Sequence, residues 1–235
     1  MGRKHDGVGR ALQRALGSGF TLPDVEPREG GTSLLMNSRR QKVFEFVWNH
    51  PCAHLRRMSR ELRIPPQSLR WHLLRLERAG LLDSRTVKAK TVYYLPWAVR
   101  DGDVPLLATL SNGIRGRIVR LVAQEHRVTQ SGVFRSLKTY QQAVLPPLAD
   151  LTRLGLLKSW KEDGKRFYEL GDAYERLRGG YAMAAPERLD RLLTVLKRDG
   201  VSPKVQSRGD HEVHVQVSNG VQSSVLRFRL APPVP

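Results

Sequence analysis

The chain has 235 residues, with 40 Lys or Arg against 22 Asp or Glu, for a formal net charge of +18. That length accommodates two small domains and an appendage, and that charge favours a polyanionic partner: nucleic acid, an anionic membrane surface or an acidic protein. Cys52 is the sole cysteine, which excludes an intrachain disulfide and a cysteine-rich zinc site, and no apolar run approaches the ~18 residues that span a bilayer.

The positive charge is concentrated. Residues 38–100 hold fourteen basic and four acidic side chains, a net +10, whereas 1–37, 101–180 and 181–235 hold +1, +4 and +3. Thirty of the forty cations are Arg, which suits bidentate contacts to phosphate and guanine.

Residues 1–37 read as a flexible amino-terminal segment. No apolar core follows Met1–Asp6, so no secretory signal is expected, and the chain is expected to be cytoplasmic. Val8, Leu12, Ala15 and Leu16 lie on one side of a short basic helix. Residues 18–33, rich in Gly, Pro, Ser and Thr, read as a linker.

A first module is expected over 38–100. Val43, Phe44, Phe46, Val47 and Trp48 give an apolar helix that ends before Pro51. A second helix runs from His54 to Leu62, and Arg63-Ile64-Pro65 is a turn. Pro66 opens a third helix, where proline is tolerated in the first turn. In it Leu69, Leu73 and Leu76 share the inner face. Gly80 ends that helix, and a hairpin over 82–95 follows with its tip at Thr86–Lys90. Asp101 to Pro105 is a joint. A second module is expected over 101–171, with a first helix holding Ile114, Ile118 and Val122 and a second near Thr129 to Leu137. In its third helix Pro146 and Pro147 stand where Trp71 and His72 stand in the first copy. The ~3 kcal/mol cost of an interior proline predicts a helix that starts anew near Pro146 after an irregular turn. Residues 172–235 read as a carboxyl-terminal extension. Helix over 172–199 is split at Gly179-Gly180, and a β-hairpin around Asn219-Gly220 packs on the second module or on another chain.

The repeat defines the fold. Leu69-Arg70-Trp71-His72-Leu73-Leu74-Arg75-Leu76-Glu77-Arg78-Ala79-Gly80-Leu81-Leu82 is echoed by Val144-Leu145-Pro146-Pro147-Leu148-Ala149-Asp150-Leu151-Thr152-Arg153-Leu154-Gly155-Leu156-Leu157. Each copy is an amphipathic helix stopped by glycine, then a leucine pair, then a polar hairpin closing on an aromatic pair. The expected fold is mainly α with small β-hairpins (α+β): two tandem winged helix-turn-helix domains plus a carboxyl-terminal helix and β-hairpin.

The outer face of the first module's third helix carries Gln67, Ser68, Arg70, Trp71, Leu74 and Arg78, with Arg75 at its border. An α-helix fits the major groove of B-DNA, where Arg takes guanine and Gln takes adenine. Arg56, Arg57 and Arg60 on the second helix, with Arg85, Lys88 and Lys90 on the wing, are candidates for phosphate contacts. On the second wing the candidates are Lys161, Lys165 and Arg166. No phosphate loop, nucleophile elbow or zinc-protease helix occurs, so neither an enzyme nor a cofactor or metal is expected.

The segment Leu69–Leu82 resembles the recognition helix of ArsR-like winged-helix regulators, and the double module resembles the tandem winged-helix transcription regulators of euryarchaea. The resemblance covers about residues 38–170 and is stronger for the first copy. It implies a sequence-specific regulator of double-stranded DNA, with the third helix in the major groove and the wing along the backbone. It also places base reading on Gln67, Ser68, Arg70 and Trp71. The second module or the terminal hairpin is then left for pairing copies or meeting the transcription machinery. Three other readings stay open: a tandem winged-helix adaptor of the kind found in ESCRT-II-like assemblies, a nonspecific, chromatin-like DNA binder, and a replication initiator, since tandem winged helices occur there.

Overall fold

The structure is a computed structural model that describes residues 33–111 and 113–230. The expected helix at 8–17, the linker as far as residue 32 and the tail from 231 lie outside the described residues.

Helix α1 (Ser38–Asn49) follows from the apolar spacing of Val43, Phe44 and Val47, all with no exposed surface, and from Asn37, whose side chain accepts from the N–H groups of Arg39 and Arg40. Then come β1 (Ala53–His54), α2 (Leu55–Leu62), α3 (Pro66–Arg78), and the hairpin β2 (Asp83–Val87) and β3 (Lys90–Tyr94). A turn at Asp101–Asp103 and α4 (Val104–Leu110) lead to α5 (Gly113–Glu125). The pattern then repeats as β4 (Val128–Thr129), α6 (Gln130–Ser136), α7 (Gln141–Arg153), β5 (Leu157–Glu162) and β6 (Lys165–Leu170). Each module closes a three-stranded antiparallel sheet, in the orders β1-β3-β2 and β4-β6-β5. That succession is the winged-helix topology, an α+β fold.

The two copies keep register without a gap. A shift of 75 relates Ser38 to Gly113, Pro66 to Gln141, and the pair Ala53↔Tyr93 to Val128↔Tyr168. Tyr93 therefore matches Tyr168, so the aromatic pairs Tyr93-Tyr94 and Phe167-Tyr168 that close the two hairpins are offset by one residue. Both wings turn through two residues with positive φ, Lys88-Ala89 and Asp163-Gly164, as a tight hairpin on right-twisted strands requires.

The described structure corrects several expectations. Helix α7 is continuous through Pro146 and Pro147. They fall in its second turn, so only the carbonyls of Gln142 and Ala143 lose a donor, and Gln142 is exposed to water. The joint is not a plain loop, because α4 begins within it at Val104 and runs on to Leu110. Leu35, assigned to the flexible segment, is fully buried beneath a short turn at Leu34–Met36. The terminal helices are α8 (Asp172–Met183) and α9 (Ala185–Arg198). They break at Ala184 ahead of Pro186 rather than at the two glycines, because proline opposes helix more strongly than glycine does.

The terminal hairpin is a three-stranded sheet of β7 (Ser202–Arg208), β8 (Glu212–Ser218) and β9 (Ser223–Arg229), in the order β7-β8-β9. It packs on the first module, not the second. Phe228 and the buried valines 213, 215 and 217 join a core with Phe44, Val47 and Trp48, to which α9 adds Leu189, Leu192 and Leu196. The α1 side chains also satisfy the free edge of β9. Trp48 Nε1 donates to Arg229 O at 2.8 Å, Arg229 N donates to Asn49 Oδ1 at 2.8 Å, and Arg227 N donates to Glu45 Oε2 at 3.2 Å. The second core gathers α5, α7, α8 and the Asp101–Leu110 joint.

Candidate nucleic-acid interface

Thirteen residues form α3, with Pro66 in its first turn and no side chain capping its amino end. Leu69, His72, Leu73 and Leu76 are buried. Gly80, at φ +70°, stops the helix, and Leu81 N donates back to Leu76 O at 2.9 Å.

The outer face is only partly open. Gln67, Arg70 and Arg78 are exposed, and Ser68, Leu74 and Arg75 are half-buried. Trp71 is also half-buried, held edge-on against His72 at 4.9 Å between ring centroids. The Arg75 and Arg40 guanidinium groups lie 5.4 and 5.8 Å from its ring. Cation–π contact of this kind fixes Trp71 and Arg75 on their own domain. Gln67 and Arg70 are the two predicted readers fully presented to solvent.

On α2, Arg56 and Arg60 are exposed while Arg57 is used internally. Arg57 Nε meets Glu61 Oε1 at 2.8 Å, and its Nη2 donates to His50 Nδ1 at 3.3 Å. Arginine can only donate, so that His50 nitrogen carries no proton. Burial, followed by the Arg57 charge, holds the His50 pKa down at about 4. His54 caps α2, with Nδ1 accepting from Arg57 N at 3.2 Å. Burial lowers the His54 pKa, and so do the charges of Lys90, Arg57, Arg60 and Arg56. Lys90 of the wing and the arginines of α2 thus form one cationic cluster around a neutral histidine. Sequence gave no hint of this cap, since histidine is not among the residues favoured there.

On the wing, Lys90 is exposed, and the exposed Arg85 donates to Asp101 O at 3.3 Å. Lys88 reaches into the second module, its Nζ 3.1 Å from Asp150 Oδ2 on α7. Arg115 and Arg153 bind the same carboxylate, and these three cations hold Asp150 well below the usual carboxylate range. Lys161, Lys165 and Arg166 are exposed on the second wing. That wing also carries Asp163 and Glu162, the latter paired with Arg127. Trp160 stacks on Phe167 at 5.8 Å, and Arg127 lies 4.0 Å over the Phe167 ring.

Among the described residues no group of three or more His, Cys, Asp or Glu is placed to hold a metal, and no helix is long and apolar enough to cross a membrane.

No family model matches the chain. Over 133 residues, 57% of its length, the chain is 31% identical to an uncharacterized HTH-type transcriptional regulator of Methanocaldococcus jannaschii, and it spans about a third (33%) of that protein. A solved structure of a Lactococcus lactis ZitR mutant is 14% identical, over 62% of this chain and 95% of that one. Its TM-score is 0.24, a likeness too loose to bear on fold or function.

Proposed function

We propose that the chain is a non-enzymatic transcription regulator that reads double-stranded DNA through its first module. Helix α3 enters the major groove with Gln67 and Arg70 toward base edges, Ser68 and Arg78 beside them, and the cluster of Arg56, Arg60 and Lys90 on phosphates. One observation carries this reading: Gln67, Arg70 and Arg78 are exposed on α3, covered by neither the second module nor the terminal sheet, and α2, which packs on α3, carries the exposed Arg56 and Arg60. The similarity to an HTH-type regulator supports the same reading. Trp71 and Arg75 buttress α3, and Arg57 and Lys88 tie elements of the protein together. The ArsR-like and euryarchaeal resemblance, and the division at residues 38–100, 101–171 and 172–235, belong to this proposal.

A mobility-shift series against salt tests it. Neutralising Z phosphates gives a log–log slope of about −0.9Z, so five contacts give roughly −4.5. A flat response, or no shift with any duplex, rejects DNA binding. Equal affinity for selected and random duplexes indicates a chromatin-like binder instead.

A further inference from the structure

A cavity of about 380 Å³ lies where the chain leaves the first module, bounded by the 98–103 crossing, α4, α8 and α9. Its walls combine apolar surface from Leu106, Ala173 and Leu177 with Arg100, Arg176 and Arg188. Asp103 is the only acid among its lining residues, which leaves a balance of three cations to one anion.

Two of the lining side chains are more than nine-tenths buried and incompletely satisfied. Arg188 is 6% exposed and Tyr181 is 7% exposed. The Arg188 guanidinium lies 5.1 Å from the Trp48 ring and 4.7 Å from the Tyr181 ring, and its Nη1 donates to Tyr181 O at 3.5 Å. Arg188 Nε and Tyr181 Oη have no hydrogen-bond partner among the described residues. Burial lowers the Arg188 pKa and raises that of Tyr181, so the guanidinium faces a neutral phenol. A buried cation with no counter-charge is expensive, and so is a buried donor with nothing to receive it.

We infer that this cavity binds a small organic carboxylate, its anionic end taken by Arg188 and Tyr181 and its apolar body lying along Leu106 and Leu177. A carboxylate matches the planar guanidinium fork, and the volume lies within the range of small-molecule sites. The position suits a signal. Arg188 belongs to α9, which packs in the first module's core, whereas Tyr181 and Leu177 belong to the second.

The test measures binding on the full chain without DNA, so its outcome is separate from that of the DNA reading. Thermal unfolding is followed with octanoate and phenylacetate, each against its neutral match, 1-octanol and phenylacetamide. At tenfold excess over Kd at least one acid raises the midpoint by about 3–6 °C, and the neutral compounds leave it unchanged. Tyr181→Phe weakens that acid about tenfold. Gly180→Leu serves as the folded control, because a Cβ at Gly180 meets no atom within 4 Å beyond its own helix backbone and chain neighbours, and Gly180 lines the cavity, so the added side chain takes up its space; it abolishes the response. Response to neither acid, an equal response to acid and neutral match, or a response surviving Gly180→Leu overturns the inference.

Discussion

Helices α3 and α7 are the same element used in two ways. Each has thirteen residues, and each buries the same four positions: Leu69, His72, Leu73 and Leu76 in one, Val144, Pro147, Leu148 and Leu151 in the other. Their outward positions differ. Where α3 carries Arg70, Trp71, Leu74 and Arg75, α7 carries Leu145, Pro146, Ala149 and Asp150. The Asp150 position is also occupied, by Lys88 from the neighbouring wing. Packing demands are thus met identically in the two copies, and the difference between them lies in what is offered to a partner.

The largest expected effect checks the shared half of that comparison. Leu73→Ala and Leu148→Ala each remove a side chain that is 1% exposed, and each should cost about 2–5 kcal/mol in chemical unfolding. A near-zero cost for one of them would break the equivalence of the inner faces.

Acid should next separate the modules. His50 and His72 are held at about 4 in the folded chain, by burial first and by neighbouring arginines second, against 6.5 when unfolded. The unfolded chain therefore binds more protons below pH 6.5, so stability is full above that pH and falls progressively toward pH 4. Glu125 and Pro147 stand at the matching positions of the second module. Hydrogen exchange should show α1 and α3 losing protection before α5 and α7, and His72→Leu should flatten the profile. Simultaneous loss in both modules would contradict this.

Arg70→Ala should weaken preferred duplexes by about 1–3 kcal/mol, while Leu145→Ala, its counterpart, leaves DNA affinity unchanged. Lys90→Ala should weaken all duplexes alike and reduce the salt slope by about one. The smallest effect belongs to Asp150→Asn. Partly exposed ion pairs contribute about 0–1 kcal/mol, so the unfolding midpoint should barely move. Loss of DNA binding in that variant would instead assign the Lys88–Asp150 contact a role in holding the first wing.

Both winged-helix modules were legible from sequence because their signals are local: apolar spacing, Gly80 and Gly155 as helix stops, and polar hairpin tips. What escaped was non-local or ran against propensity. Strand β7 has Val205 as its one β-branched apolar residue, 38% exposed, and it exists by backbone pairing with β8. The docking of the terminal sheet on α1 rests on partners some 180 residues apart. At the site, residue type gave the outward positions of α3 and i, i+4 spacing pairs Trp71 with Arg75, but Arg40 of α1 reaches the same ring only through tertiary packing. The cationic cluster around His54 depends on β1 pairing with β3, a tertiary contact.

The clasp of β9 by α1 has a consequence for how the chain is made. The strand that covers Trp48 and Phe44 is translated about 180 residues after them, a wait of roughly 10–40 s. The second half can seal as soon as α8 appears. During synthesis the order of maturation is therefore reversed: of the two modules the one made first is finished last, and its apolar helix waits for β9.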